Sequence, residues 1–199
     1  MSDDHTHVQE FFTVRAADWD SRFPDDGPAY AAAVADLGLR EGSRVLDAGC
    51  GTGRALKPLR AAVGPSGVVL GADLTPAMLE AALRAGRGLD GQLLLADAAA
   101  LPLRSESLDA VFAAGLIAHL PRPGENLREL ARVVRPGGTL ALFHPVGRAA
   151  LAARQGRRIT SRDLRAEANL GPLLAGAGWH MTSYVDEDAR FLALAVRPG

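Results

Sequence analysis

The stretch that most constrains this chain is Val45-Leu46-Asp47-Ala48-Gly49-Cys50-Gly51-Thr52-Gly53-Arg54. Val45 and Leu46 suit a buried strand. Three alternating glycines then permit backbone angles and close approaches that a Cβ forbids. A bend of this kind, leading from a strand into a helix, exposes N–H groups beside a helix N-terminus, where polar or charged ligands bind. Asp47 adds a negative charge at the same spot. A purely anionic ligand is repelled there, whereas one carrying an ammonium or sulfonium group is not. The dinucleotide fingerprint wants glycines at relative positions one, three and six. Here they fall at one, three and five, and the sixth position is Arg54.

Beyond this loop the chain alternates between strand-like and helix-like segments. A helix is expected from about Thr52 to Val63, with Pro58 predicting a kink or a late start. Val68 to Ala72 reads as a second strand ending in Asp73, and Gln92 to Ala96 as a third ending in Asp97. Leu108 to Ala114 and Thr139 to Phe143 read as the fourth and fifth. His180 to Val185 and Phe191 to Val196 read as the last two. Between them, Pro76 to about Arg87 is helical, and Leu127, Leu130, Ala131 and Val134 form the buried stripe of an amphipathic helix. Ser161 is expected to open one helical stretch and Pro172 another. In an open parallel sheet, ligands bind beyond the carboxyl ends of the strands. Three such ends carry Asp47, Asp73 and Asp97. Asp73 lies where a ribose-binding carboxylate belongs in a βαβ nucleotide site, and a carboxylate can accept from paired hydroxyls. The bland alternative, a helix N-terminal acid, is less needed because Thr75 can cap and Pro76 can open the helix.

The glycine loop with its leading Asp47 resembles motif I of the class I S-adenosylmethionine-dependent methyltransferases. Asp97-Ala98-Ala99-Ala100-Leu101-Pro102-Leu103, Leu130 to Gly138 and the Gly176-to-Trp179 junction are similar to further segments of that family. The resemblance runs from about Ser43 to Val196. It implies a Rossmann-like, doubly wound α/β domain whose seven-stranded sheet is mostly parallel with the last strand antiparallel. It also implies S-adenosylmethionine as cofactor and S-adenosylhomocysteine as product. Asp47, Gly49, Cys50 and Gly51 would then border the cofactor, with Asp73 and Leu74 at ribose and adenine, Asp97 and Ala98 on the adenine ring, and Ala114 leaving room for the methionine part.

The domain organisation expected on this basis is a disordered tail over 1–7, N-terminal helices over 8–42 covering the cofactor site, and a methyltransferase domain over 43–199. Phe12, Ala16, Trp19 and Phe23 recur at helical spacing. This stripe either packs on the core or places Arg15, Trp19 and Arg22 over the mouth of the site, where Trp19 would meet substrate. Pro24 to Pro28 should break the helix, and a second should run from about Ala29 to Leu37, with Tyr30 packed rather than catalytic. His119 and His144 follow strand ends and should point toward the site. Each is either a proton acceptor or a hydrogen-bonded supporting residue. Asp109 reads as structural. Arg148, Arg154, Arg157 and Arg158 form either a solvated connection or a clamp for a substrate carboxylate or phosphate.

Net charge is −1, so bulk charge implies no nucleic-acid or membrane partner. A single cysteine, Cys50, allows no disulfide framework and suits a cytoplasmic setting. The acidic N-terminus is not a signal peptide, and no apolar run reaches membrane-spanning length. No metal site is expected. The reaction expected is methyl transfer to a small molecule, with acceptor atom and oligomeric state open. The competing readings are a non-catalytic S-adenosylmethionine-binding domain acting through a partner, and an NAD-dependent oxidoreductase.

Overall fold

The computed structural model describes residues 3–23 and 26–199. Strand β1 (Arg44–Ala48) lies at the centre of a sheet, and its residues Val45 and Leu46 have no solvent exposure. Burial on both faces is what a parallel strand covered by helices requires. β2 (Val68–Asp73) and β3 (Gln92–Leu95) extend the sheet on one side, and β4 (Leu108–Ala114) and β5 (Val134–His144) on the other. β6 (His180–Glu187) and β7 (Arg190–Val196) complete the order β3-β2-β1-β4-β5-β7-β6. β7 runs antiparallel to both of its neighbours. The seven-stranded, mostly parallel sheet with its last strand reversed is thus as the resemblance implies.

Alternation along the strands divides the core in two. Leu46, Val111, Leu140 and Leu142 face one layer, which packs beneath α6 (Pro123–Val133) and α8 (Glu167–Ala175). Val45, Ala110, Phe112, Ala141 and Phe143 face the other, beneath α3 (Gly27–Asp36) and α4 (Leu56–Val63). Trp179 seals the first layer, its indole N–H donating to the Leu127 carbonyl at 2.9 Å. A buried indole is stable only with such a partner.

Several local expectations shift. Helix α1 spans Asp3–Thr13, so 3–7 are helical rather than a tail; residues 1 and 2 lie outside the described residues. Downstream docking explains it: Gln9 Nε2 donates to the Leu74 carbonyl at 2.8 Å, and a nucleated helix propagates cheaply. The single aromatic helix expected from Val8 is instead α1, a 3₁₀ turn (Ala16–Asp18) and α2 (Trp19–Arg22). Of the break expected over 24–28, residues 24 and 25 lie outside the described residues, and Pro28 sits in the first turn of α3. The helix after the glycine loop starts late, at Leu56, as Pro58 suggested. Pro172 lies inside α8 instead of opening it, at the cost of one intrahelical hydrogen bond. β5 begins at Val134, not Thr139. Its pairing with β4 jumps from Leu108–Val134 to Ala110–Thr139, so Arg135-Pro136-Gly137-Gly138 bulges within the strand. Two hydrogen bonds with Arg197 hold that bulge, a tertiary partner that proline-glycine signals alone cannot reveal.

Candidate functional site

Beyond the carboxyl ends of β1, β2, β4 and β5 lies a cavity of about 660 Å³. That is within the range of roughly 300–1,000 Å³ usual for small-ligand sites. Asp47, Asp73 and Asp97 all border it, so the three acidic strand ends converge as expected.

The glycine bend is sewn to the end of β2. Cys50 N–H donates to the Ala72 carbonyl at 2.9 Å, and Gly51 N–H donates to Asp73 Oδ2 at 2.8 Å. Asp73 Oδ1 accepts the Thr75 N–H at 2.8 Å, so this acid also orders the start of α5 (Pro76–Arg84). Gly49 and Gly51 both have positive φ, at 67° and 54°. A Cβ at Gly49 would strike Leu116 at 2.8 Å, whereas one at Gly51 would meet no protein atom within 4 Å. Gly51 lines the cavity, so there the bare backbone leaves room for a ligand. Asp97 Oδ1 accepts the Ala99 N–H at 2.8 Å, which turns the chain beyond β3. The next stretch is clamped from α6. Glu129 accepts the Leu101 N–H, and Arg132 pairs with Glu129 while donating to the carbonyls of Leu101 and Leu103.

Asp47 is 2% exposed, and among the described residues no protein group hydrogen-bonds its carboxylate. Burial first, then the Asp73 charge, pushes its pKa up to about 8. A buried carboxylate left in this state calls for a cationic partner. Asp73 is also raised, chiefly by burial and against the pull of its backbone donors. The Cys50 thiol is pushed well up, by burial and then by Asp47, so it stays protonated and is no nucleophile.

The N-terminal segment forms the opposite wall. Phe12, Arg15, Trp19 and Arg22 line the cavity, and the rings of Phe12, Trp19 and Phe23 succeed one another at 5.5 and 5.2 Å. Asp20 holds this segment to the glycine bend, accepting from Thr52 Oγ1 at 2.7 Å and pairing with Arg87 at 2.6 Å. Arg54, which occupies the place of the third dinucleotide glycine, pairs with Asp26 at 3.2 Å and donates to the Phe23 carbonyl.

Leu74, Ala98 and Ala114 line the cavity, as do both histidines. His119 packs edge-on against Phe12 at 5.0 Å, and His144 Nδ1 is engaged by the backbone of Val146. Both pKa values are lowered, chiefly by burial, so both rings are neutral at pH 7 and able to accept a proton. Arg148 does not line this cavity. Its guanidinium is held by Asp186 at 2.8 Å and Asp163 at 3.4 Å, because α7 (Arg148–Arg154) turns back onto the β6–β7 hairpin. Tyr30 lines the cavity although its position on a short helix gave no sign of it. Its phenol is raised beyond the ordinary range by burial and then by Asp47. Arg165 and Leu116 also belong to the wall. Leu116 opens a 3₁₀ turn (Leu116–His119) and Arg165 sits in an irregular connection, and no motif marks either. Among the described residues no cluster of metal-ligating side chains occurs, and no helix is long and apolar enough to cross a membrane.

This order of strands, with a glycine bend and acidic strand ends facing one cavity, defines a Rossmann-like nucleotide-binding α/β domain. A methyltransferase-domain family matches residues 46–142. Those residues thus carry a methyltransferase domain, and through it the chain is similar to the class I S-adenosylmethionine-dependent methyltransferases. It is 34% identical over 175 residues to methyltransferase GfsG of Streptomyces halstedii, covering 81% of this chain and 62% of that one. To the ubiquinone/menaquinone biosynthesis C-methyltransferase UbiE of Hahella chejuensis it is 39% identical over 110 residues, 53% of this chain and 44% of that one. The chain thus spans less than two thirds of these relatives' length. A crystal structure of a SAM-dependent methyltransferase from Aquifex aeolicus superposes with a TM-score of 0.69 at 26% identity, covering 84% of this chain and 89% of that one. Magnesium protoporphyrin IX methyltransferase of Synechocystis, solved with bound SAH, shares the fold, with a TM-score of 0.73 at 21% identity over 98% of this chain and all of that one.

Proposed function

We propose that the chain transfers a methyl group from S-adenosylmethionine to a small-molecule acceptor. The observation that carries this is one cavity in which an unpartnered buried carboxylate, a bare-backbone bend and two further acids face a wall of aromatic rings and neutral histidines. These residues fit the cofactor by chemistry. Asp47 offers a buried carboxyl that gives up its proton to pair with an amino-acid ammonium. Asp73, fixed by Gly51 and Thr75, keeps lone pairs for ribose hydroxyls. Asp97 and the Ala98 backbone would address the adenine, within a segment held by Glu129 and Arg132. When bound, the cofactor supplies a methyl group already made electrophilic by its sulfonium.

The protein's task is then alignment and exclusion of water. Holding reactants in line is worth roughly 7–11 kcal/mol. The helices over 8–42, latched by Asp20 and Arg54, close the acceptor side, where Trp19 contacts the substrate. His144, its Nδ1 fixed by Val146, and His119 are placed to take the acceptor's proton, which contributes roughly 10²- to 10⁴-fold where one is released. The domain responsible is residues 43–199.

Calorimetry with S-adenosylmethionine, S-adenosylhomocysteine and NAD on wild type and Asp73→Ala tests the cofactor, and release of S-adenosylhomocysteine across an acceptor panel tests turnover. Selective NAD binding overturns the reading. Cofactor binding with no release from any acceptor leaves a binding module instead.

A further inference from the structure

The geometry points to an acceptor that carries an oxyanion group, a carboxylate or a phosphate, seated on Arg165 at the far end of the cavity from the glycine bend. This rests on the methyl-transfer reading and names its substrate class.

Charge is unevenly spread along the site. The acids Asp47, Asp73 and Asp97 lie at the end bordered by β1 to β3, whereas Arg154, Arg157 and Arg165 line the cavity on the side of α7 and the connection after it. A second cavity of about 280 Å³ adjoins there, sharing Ala118, Arg157 and Arg165 as walls. Five arginines line it against a single carboxylate, Asp163. Arg148 is neutralised by Asp186. Asp163 is divided between Arg148 at 3.4 Å and Arg165 at 3.5 Å, and already accepts the Arg165 backbone N–H at 2.9 Å. Both ion-pair distances exceed the roughly 2.7–2.9 Å of a charge-assisted hydrogen bond. Among the described residues, Arg157, Arg158 and Arg162 pair with no carboxylate.

Arg165 is the most enclosed of the group that is left under-neutralised, its side chain 13% exposed. It sits 6.0 Å over the Phe191 ring, and Phe191 is the register partner of His144. The charge of Arg165 also bears on both histidines, helping to hold their pKa values down. A cation in this position, beside the groups that face the acceptor, favours an anion and disfavours a second cation. The guanidinium fork matches a carboxylate or phosphate with two parallel hydrogen bonds. Leu151, Phe12 and Trp19 on the adjoining walls suit an apolar body, so the acceptor is an apolar or aromatic acid.

The test uses protein saturated with S-adenosylhomocysteine, titrated with 1-naphthoate, 1-naphthamide and phenyl phosphate and followed by calorimetry. Wild type is expected to bind at least one of the anions about tenfold to a hundredfold more tightly than the amide, the worth of a charged hydrogen-bonded pair. The stronger of the two anions identifies the head group. Arg165→Ala should abolish the difference while keeping S-adenosylhomocysteine affinity within a factor of about two, and Arg165→Lys should restore part of it. Arg157→Gln, at an exposed position, checks the same effect where misfolding is not at issue, with a smaller loss. Equal binding of acid and amide overturns the inference, and so does no binding of any probe. Loss of S-adenosylhomocysteine affinity in Arg165→Ala also overturns it, since the arginine would then serve the cofactor's own carboxylate. Failure of wild type to bind S-adenosylhomocysteine at all is the separate failure of the methyl-transfer reading.

Discussion

Asp47 sits where the fold allows a carboxylate almost no water, and that burial predicts its behaviour. Its folded pKa is raised to about 8 against an ordinary 3.8. The folded state therefore keeps a proton that the unfolded chain has lost, and stability falls as pH rises from about 4 to 8. Asp47→Asn should remove that penalty. Its melting temperature relative to wild type should be higher at pH 8.5 than at pH 5, by the equivalent of about 1 kcal/mol or more. Cofactor affinity in wild type should climb with pH over the same window, with proton release measurable by calorimetry in two buffers, and Asp47→Asn should lose both effects. Asp73→Asn can keep only one of the two backbone donors now shared between Gly51 and Thr75. Chemical denaturation should show a loss of about 1–3 kcal/mol, and S-adenosylhomocysteine affinity should drop at least tenfold. At this scale the sequence was legible wherever chemistry coincided with a strand end: Asp47, Asp73 and Asp97 could be read from alternation alone. Tyr30 and Arg165 could not. Their place in the wall depends on how α3 and the 155–166 connection fold back, which local pattern does not encode.

The elements around the cavity are joined by few, specific latches. Asp20 is the hub for the N-terminal segment, bonded to Thr52 and Arg87 across a half-exposed boundary. Such pairs are worth about 0–1 kcal/mol to global stability, but this one sets where α2 rests. Asp20→Ala should thus leave denaturant midpoints nearly unchanged while weakening S-adenosylhomocysteine binding several-fold. Trypsin should also cut faster at Arg15 and Arg22, with bound S-adenosylhomocysteine slowing the cleavage in wild type. Most element types were well predicted, because buried parallel strands and amphipathic helices differ sharply in period; the helical stretch expected from Ser161 is instead a run of turns over 161–166, and helix begins at Glu167. The misses share a cause. α1 begins at Asp3, the aromatic helix splits, Pro172 falls inside α8 and β5 contains a bulge. In each case a tertiary partner outweighs the local signal. Arg148 is the same lesson in a side chain: its sequence neighbours suggested a ligand clamp, and the β6–β7 hairpin supplies Asp186 instead.

For the whole molecule, the two core layers meet only through the sheet, and the site lies along one edge of both. Ligand binding should therefore report on global stability. S-adenosylhomocysteine at a hundred times its Kd should stabilise by about 2.7 kcal/mol, raising Tm by roughly 5–10 °C in a chain of this size. NAD at equal concentration should give no shift, and a shift with NAD alone would contradict the cofactor assignment. The sheet order itself has a consequence for how the chain comes together. β6 touches no other strand but β7, and β7 is the wedge that joins it to β5. During synthesis, β6 must wait without a neighbour until residues 190–196 have left the ribosome, and His144 lacks its register partner Phe191 for as long. A nascent chain halted before that point carries the three acidic strand ends but an unfinished cavity wall.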